Sequence, residues 1–253
     1  MLKKLQIEFI KNNHRWLATY MPRIGVGSWS LPGSRANEIE FGGTLDEIIS
    51  NHFSRYSSPT HICRPTLTKA LELLNQQPAC ILETGSSAWG SNSSLLFDAY
   101  VTKFGGNFES VDLRLEPSIT LQKKCCHRTK LSCDDSVEFL RKWVKDNPER
   151  KIDLLYLDSW DVDWANPTPS ALHGLAEFLA ASPNLKHESL ILIDDTPLDI
   201  NYFSAAQKDL TNFKTHYLEK KFYPGKGSIV KELLKSIGRG KEVMHEYQLL
   251  WKL

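Results

Sequence analysis

The chain has 253 residues, 41% of them hydrophobic and 24% charged, with a formal net charge of +1. Those values suit a globular protein long enough to bury one large core. The balanced charge, with Lys and Arg scattered rather than striped, argues against a nucleic-acid partner, because gripping phosphates draws on a basic surplus. The amino-terminal stretch is interrupted by Lys11, Asn12, Asn13 and His14, so neither a secretion signal nor a membrane span is expected. Five cysteines, Cys63, Cys80, Cys125, Cys126 and Cys133, are odd in number and lack CxxC spacing. They read as reduced thiols of a cytoplasmic protein.

In chain order, residues 24–43 are rich in Gly, Ser and Trp and read as a loop. That loop is either a lid in which Trp29 and Arg35 touch a ligand, or a surface loop or subunit contact. Residues 44–49 and 66–74 read as helices, with Thr44 and Thr66 placed to cap them. The polar run Asn75, Gln76, Gln77 before Pro78 marks a boundary. Residues 1–77 are expected to form an amino-terminal helical extension and 78–253 the main domain.

Residues 80–94 are the most informative stretch. An apolar run ends in Glu83, a turn carries Gly85 and Gly90, and Ser91, Asn92, Ser93 and Ser94 precede an apolar helix start. This reads as a strand, a turn able to hold a nucleoside, and a helix capped by serine hydroxyls. The dinucleotide fingerprint G-x-G-x-x-G is absent. A second strand over 108–113 passes through Asp112, whose carboxylate is placed to bind ribose hydroxyls. Cys133, Asp134, Asp135 and Ser136 then lead into a helical run from Val137; either Asp134 or Asp135 faces a ligand there, or it is a plain helix cap.

Two further apolar runs, 152–157 and 189–193, end in Asp158 and in Asp194 with Asp195. Parallel strands present their carboxyl ends on one side, so these three acids converge. Carboxylates that close repel one another, and a divalent cation relieves the repulsion; alternatively Asp194 and Asp195 cap or turn the chain before Pro197. Gly225, Lys226 and Gly227 read as a tight turn without Walker spacing, ahead of a helix over 229–234. Residues 243–253 read as an edge strand pair. The histidines are dispersed and no G-x-S-x-G elbow is present, which leaves hydrolase chemistry unsupported.

With Glu83 and Asp112 at successive strand ends, residues 78–253 resemble the class I S-adenosylmethionine-dependent methyltransferases. Asp158, Asp194 and Asp195 match the metal acids of the small-molecule O-methyltransferases, of the catechol type and the macrolide or aminocoumarin type. The resemblance implies an α/β fold, doubly wound, with a mostly parallel seven-stranded Rossmann-like sheet and helices on both faces. S-adenosylmethionine would be held by Glu83, Gly85, Ser87, Gly90, Ser91, Asp112, Asp134, Asp135, Ser136 and Asp158, and Mg²⁺ by Asp158, Asp194 and Asp195.

The implied reaction is methyl transfer to a hydroxyl of a small molecule, a sugar or natural product, in a protein compatible with a homo-oligomer. Asp161 is the candidate base, in competition with Asp163, although the catechol type carries a lysine at that place and other members carry an acid one residue earlier, where Trp160 stands. Trp160 and Trp164 either wall an acceptor pocket or pack. Gly90 also falls one residue later than the pattern, which leaves Ser86, Ser87 and Trp89 without firm roles. The rival expectations are a metal-independent methyltransferase and a non-catalytic S-adenosylmethionine-binding regulatory protein.

Overall fold

The computed structural model describes residues 29–35, 43–87, 90–202 and 225–253. The amino-terminal stretch, most of the loop before residue 43, Trp89, His216, and Tyr223 with Pro224 lie outside these residues.

Five strands form the centre of the molecule: β2 (Ala79–Thr84), β3 (Gly106–Asp112), β4 (Thr129–Cys133), β5 (Ile152–Leu157) and β6 (Leu185–Ile193). Alternate side chains point to opposite sides. Ile81, Phe108, Leu154, Tyr156, Leu190 and Leu192 enter one buried cluster, and Leu82, Val111, Leu155, Leu157, Ile191 and Ile193 enter the other. Because both faces are covered, β2, β5 and the second half of β6 appear in sequence as largely apolar runs rather than alternating ones, while β3 and β4 are mixed.

Helices α1 (Leu45–Arg55), α2 (Arg64–Leu73) and α3 (Ser93–Phe104) cover the first face through residues such as Ile48, Phe53, Leu67, Leu71, Phe97 and Tyr100. The second face is covered by α5 (Ser136–Asp146), α6 (Thr168–Ala181) and α7 (Ser228–Ser236), through Phe139, Leu140, Phe178, Val230 and Leu234. Between β3 and β4 runs α4 (Leu115–Gln122). The expected doubly wound α/β fold is therefore present.

Its sheet has eight described strands, one more than the seven expected; with β1 (Trp29–Pro32), β7 (Lys241–His245) and β8 (Leu249–Lys252) the order is β1-β4-β3-β2-β5-β6-β8-β7. Pairings from β4 through β6 are all parallel, and β8 (Leu249–Lys252) runs antiparallel to β6. The extra strand is β1 (Trp29–Pro32), antiparallel to β4, lying inside the segment read as loop. A four-residue edge strand ending in Pro carries almost no periodic signal, yet it shields the β4 edge.

Three local readings also change. Only β7 (Lys241–His245) is at the edge, because β8 returns inside it against β6. Helix α1 starts at Thr44 with a reciprocal capping box to Glu47, as read. Helix α2, however, begins at Arg64 with a proline in its first turn, so Thr66 sits inside the helix; its hydroxyl donates to the Cys63 carbonyl at 3.1 Å and to the Gln248 side chain. Arg35, which the lid reading placed against a ligand and the alternative on a surface loop or subunit contact, is buried against Asp98 at 2.8 Å. No helix among the described residues is long and apolar enough to cross a membrane.

Candidate active site

The carboxyl ends of β2, β3, β5 and β6 lie side by side, and the chain leaves each through a residue singled out from sequence. After β2, Gly85 has φ +85°, and a Cβ there would lie 2.1 Å from the Asp158 carbonyl oxygen. The glycine is thus required by a crossing backbone, and its own N–H donates to the Val111 carbonyl at 2.8 Å. At Gly90, φ +79°, a Cβ would lie 2.8 Å from His61 Nε2. The Ser87 N–H donates to Ser94 Oγ at 2.9 Å, while Ser91 Oγ is buried and makes no hydrogen bond.

Glu83 is fully buried at the base of this turn and accepts from Ser93 Oγ at 2.5 Å, Ser94 Oγ at 2.5 Å and Ser110 Oγ at 2.6 Å. Ser93 and Ser94, two of the serines expected as helix caps, are committed to this acid; α3 starts at Asn92 without a side-chain cap. Burial pushes the Glu83 carboxyl up to about 7 against the pull of the three hydroxyls. Asp112, at the end of β3, is buried and gripped by its near neighbour Arg114, whose Nε reaches Oδ1 and whose Nη2 reaches Oδ2, each at 3.0 Å.

Asp135 is the N-cap of α5, accepting from the Val137 and Glu138 N–H groups at 3.0 and 3.1 Å, and Asp134 Oδ1 accepts from the Asp135 N–H at 2.9 Å. Ser136 belongs to a cluster that no spacing revealed. His173 Nε2 lies 3.0 Å from both Ser136 Oγ and Ser159 Oγ, and Ser159 Oγ donates to buried Glu177 at 2.6 Å. Trp160, half exposed, lies over the His173 ring with centroids 5.0 Å apart. Asp161 and Asp163 are both exposed beyond β5; Asp163 accepts from the Ala165 N–H at 2.9 Å. Asp161 adds, as a lesser cause, to the raised pKa of Arg114, whose main cause is the hydrogen bonding to Asp112.

Asp158, Asp194 and Asp195 do meet, each offering an oxygen within 4.8 Å of the others. A cation is already among them. Lys226 Nζ lies 2.5 Å from Asp158 Oδ1 and 3.0 Å from Asp195 Oδ2, with its side chain 3% exposed. Burial alone would lower the lysine's pKa; Asp158, Asp195 and Asp194 outweigh it and hold the ammonium charged. Three of the four remaining carboxylate oxygens meet neutral donors: Tyr156 Oη at 3.2 Å on Asp158 Oδ2, Tyr247 Oη at 2.5 Å on Asp195 Oδ1, and Gln248 Nε2 at 2.8 Å with Cys63 Sγ at 3.5 Å on Asp194 Oδ1. Burial, and then repulsion from a neighbouring acid, push the Asp158 and Asp194 carboxyls above the usual range.

Three carboxylates have the donor chemistry of a hard divalent ion. With an ammonium bonded to two of them, the residues as arranged do not fit Mg²⁺. Lys226 is the site residue that sequence reasoning passed over, and the two glycines flanking it were the available signal.

The sequence matches no protein-family model and no curated protein. Among solved structures, the MycE methyltransferase from the mycinamycin biosynthetic pathway, in complex with Mg and SAH, aligns with a TM-score of 0.53 at 15% identity, covering 83% of this chain and 54% of that one. The same enzyme in complex with Mg, SAH and mycinamycin VI gives 0.51 at 17% identity with the same coverage. This chain thus spans about half the length of those structures. At such identities the likeness concerns the backbone alone, and it agrees with the strand order above: the chain has the Rossmann-like fold of the S-adenosylmethionine-dependent methyltransferases.

Proposed function

We propose that this protein is an S-adenosylmethionine-dependent methyltransferase acting on a hydroxyl of a small molecule, a sugar or natural product. The observation that carries the reading is the adjacency, in neighbouring parallel strands, of the Gly85 turn after β2 and the buried Asp112 at the end of β3. The carboxyl edge of a parallel sheet is where such folds take their ligands, and an acid at the second strand end suits a ribose diol. Support of a second kind comes from MycE, whose structures hold SAH and mycinamycin VI.

A methyl sulfonium is already activated, so the protein has to align donor and acceptor and accept a proton. Asp161 is the base in this reading, exposed in the stretch that follows β5. Residues before 78 belong to the site as well, since Ser57 donates to the Gly90 carbonyl at 2.5 Å and Cys63 reaches Asp194. The five cysteines, all free thiols, suit a cytoplasmic setting.

Calorimetric titration with S-adenosylhomocysteine tests the reading. Asp112→Ala should weaken binding about tenfold or more, since a charge-assisted hydrogen bond contributes roughly 1.5–3 kcal/mol. Equal affinity in a folded variant would remove Asp112 from the site.

A second reading adds Mg²⁺ on Asp158, Asp194 and Asp195, favoured by the mutual approach of their oxygens to within 4.8 Å. It requires Lys226 to give up both of its carboxylate partners.

A further inference from the structure

We propose that the Lys226 ammonium is the resident cation of the Asp158, Asp194 and Asp195 cluster and stands where a divalent ion would otherwise stand. The same oxygens are at issue: Nζ contacts Asp158 Oδ1 at 2.5 Å and Asp195 Oδ2 at 3.0 Å. A divalent ion bonded to those two oxygens would need to be about 2.0–2.6 Å from each, so it would overlap the ammonium. Two positive centres cannot occupy that space together.

The lysine is also built into its position rather than resting there. A Cβ on Gly225, φ +122°, would lie 2.1 Å from the Asp195 carbonyl oxygen, and one on Gly227 would lie 2.8 Å from Thr196 Oγ1. The two glycines let the turn press against the backbone that carries the acids, and the Lys226 N–H donates to the Asp195 carbonyl at 3.2 Å. From the other side α6 leaves room at Gly174, where a Cβ would lie 2.5 Å from the Lys226 carbonyl oxygen. Clamped at N–H, carbonyl and both flanking residues, the turn aims the side chain into the carboxylates.

The neutral partners complete the cage. Tyr156, Tyr247, Gln248 and Cys63 each donate to an oxygen of the three acids and hold the carboxylates in place around the ammonium. Gln248 is itself anchored, donating to Tyr156 Oη at 3.1 Å and accepting from Thr66. If the methyl-transfer reading holds, its consequence at this site is transfer that needs no added metal and survives chelator.

Titrating the full chain with Mn²⁺, while following the electron paramagnetic resonance signal of the free ion, tests the proposal without any methyl-transfer assay. Wild-type protein should leave the free-ion signal undiminished. Lys226→Ala, which vacates the position, should bind Mn²⁺ about tenfold or more tightly than wild type, and Asp194→Asn added to it should abolish the gain. Stoichiometric Mn²⁺ uptake by the wild type, lost in Asp194→Asn, would overturn the proposal, as would a folded Lys226→Ala that gains no affinity. Should Lys226→Ala not fold, the wild-type titration decides alone. A protein that fails to bind S-adenosylhomocysteine refutes the methyl-transfer reading and leaves this result untouched.

Discussion

At Glu83 a carboxyl group with no solvent exposure is satisfied by three serine hydroxyls, and burial still lifts its pKa to about 7 from 4.5. The folded protein therefore holds this proton to higher pH than the unfolded chain does. Its contribution to stability is complete below about 4.5 and is lost as pH rises through about 7. The span corresponds to a loss on the order of 3 kcal/mol. Glu83→Gln, which cannot ionise, should flatten the dependence of the urea midpoint on pH across that window; a slope equal to that of the parent would show that Glu83 ionises alike in both states. Ser93, Ser94 and Ser110 can rotate their hydroxyls to suit the amide, so the variant is expected to fold.

Element boundaries decide what neighbouring acids do. Asp135 and Asp134 are adjacent, yet Asp135 is the N-cap, with an extended backbone, and its Oδ1 takes two N–H groups from the first turn of α5. Such a cap stabilises a helix by about 1 kcal/mol. Asp135→Ala should therefore lower the stability of the protein by about that amount, read from chemical unfolding, while S-adenosylhomocysteine affinity stays within error of the parent. A loss of affinity with unchanged stability would reverse the assignment and make Asp135 a ligand contact. From sequence the two roles were indistinguishable, because a cap and a ligand contact both ask for a short acid just before a helix.

Over the whole molecule, residues 29–35 are tied to the body by a buried ion pair. Arg35 bonds Asp98 at 2.8 Å and Thr102 at 3.0 Å, and Asp98 also accepts from the Cys126 N–H and from Thr129 Oγ1. Removing one partner of a buried pair leaves an uncompensated charge and costs about 3–5 kcal/mol. Arg35→Ala should shift the unfolding midpoint accordingly. A cost under about 1 kcal/mol would mean that β1 contributes little to holding the fold.

The strands around 79–84, 152–157 and 189–193 were legible because burial on both faces demands largely apolar runs, and that pattern is local; β3 was marked by Phe108 and Val111 ahead of Asp112. Parallel pairing then obliged Asp158 to meet Asp194 and Asp195 at one edge, a conclusion available before any coordinates. By itself the sequence thus determined the layered fold, the turn after β2 and the convergence of three acids. It did not reveal β1, whose four residues are too few for a period, nor the joining of Ser136, Ser159, His173 and Glu177 across three separate segments. Only the tertiary structure decided which cation balances the acids, because Lys226 stands 68 positions from Asp158 in the chain and 2.5 Å from it in space. Charge pairing follows distance in space, and a glycine-flanked lysine shows its partner only once the backbone has closed around it.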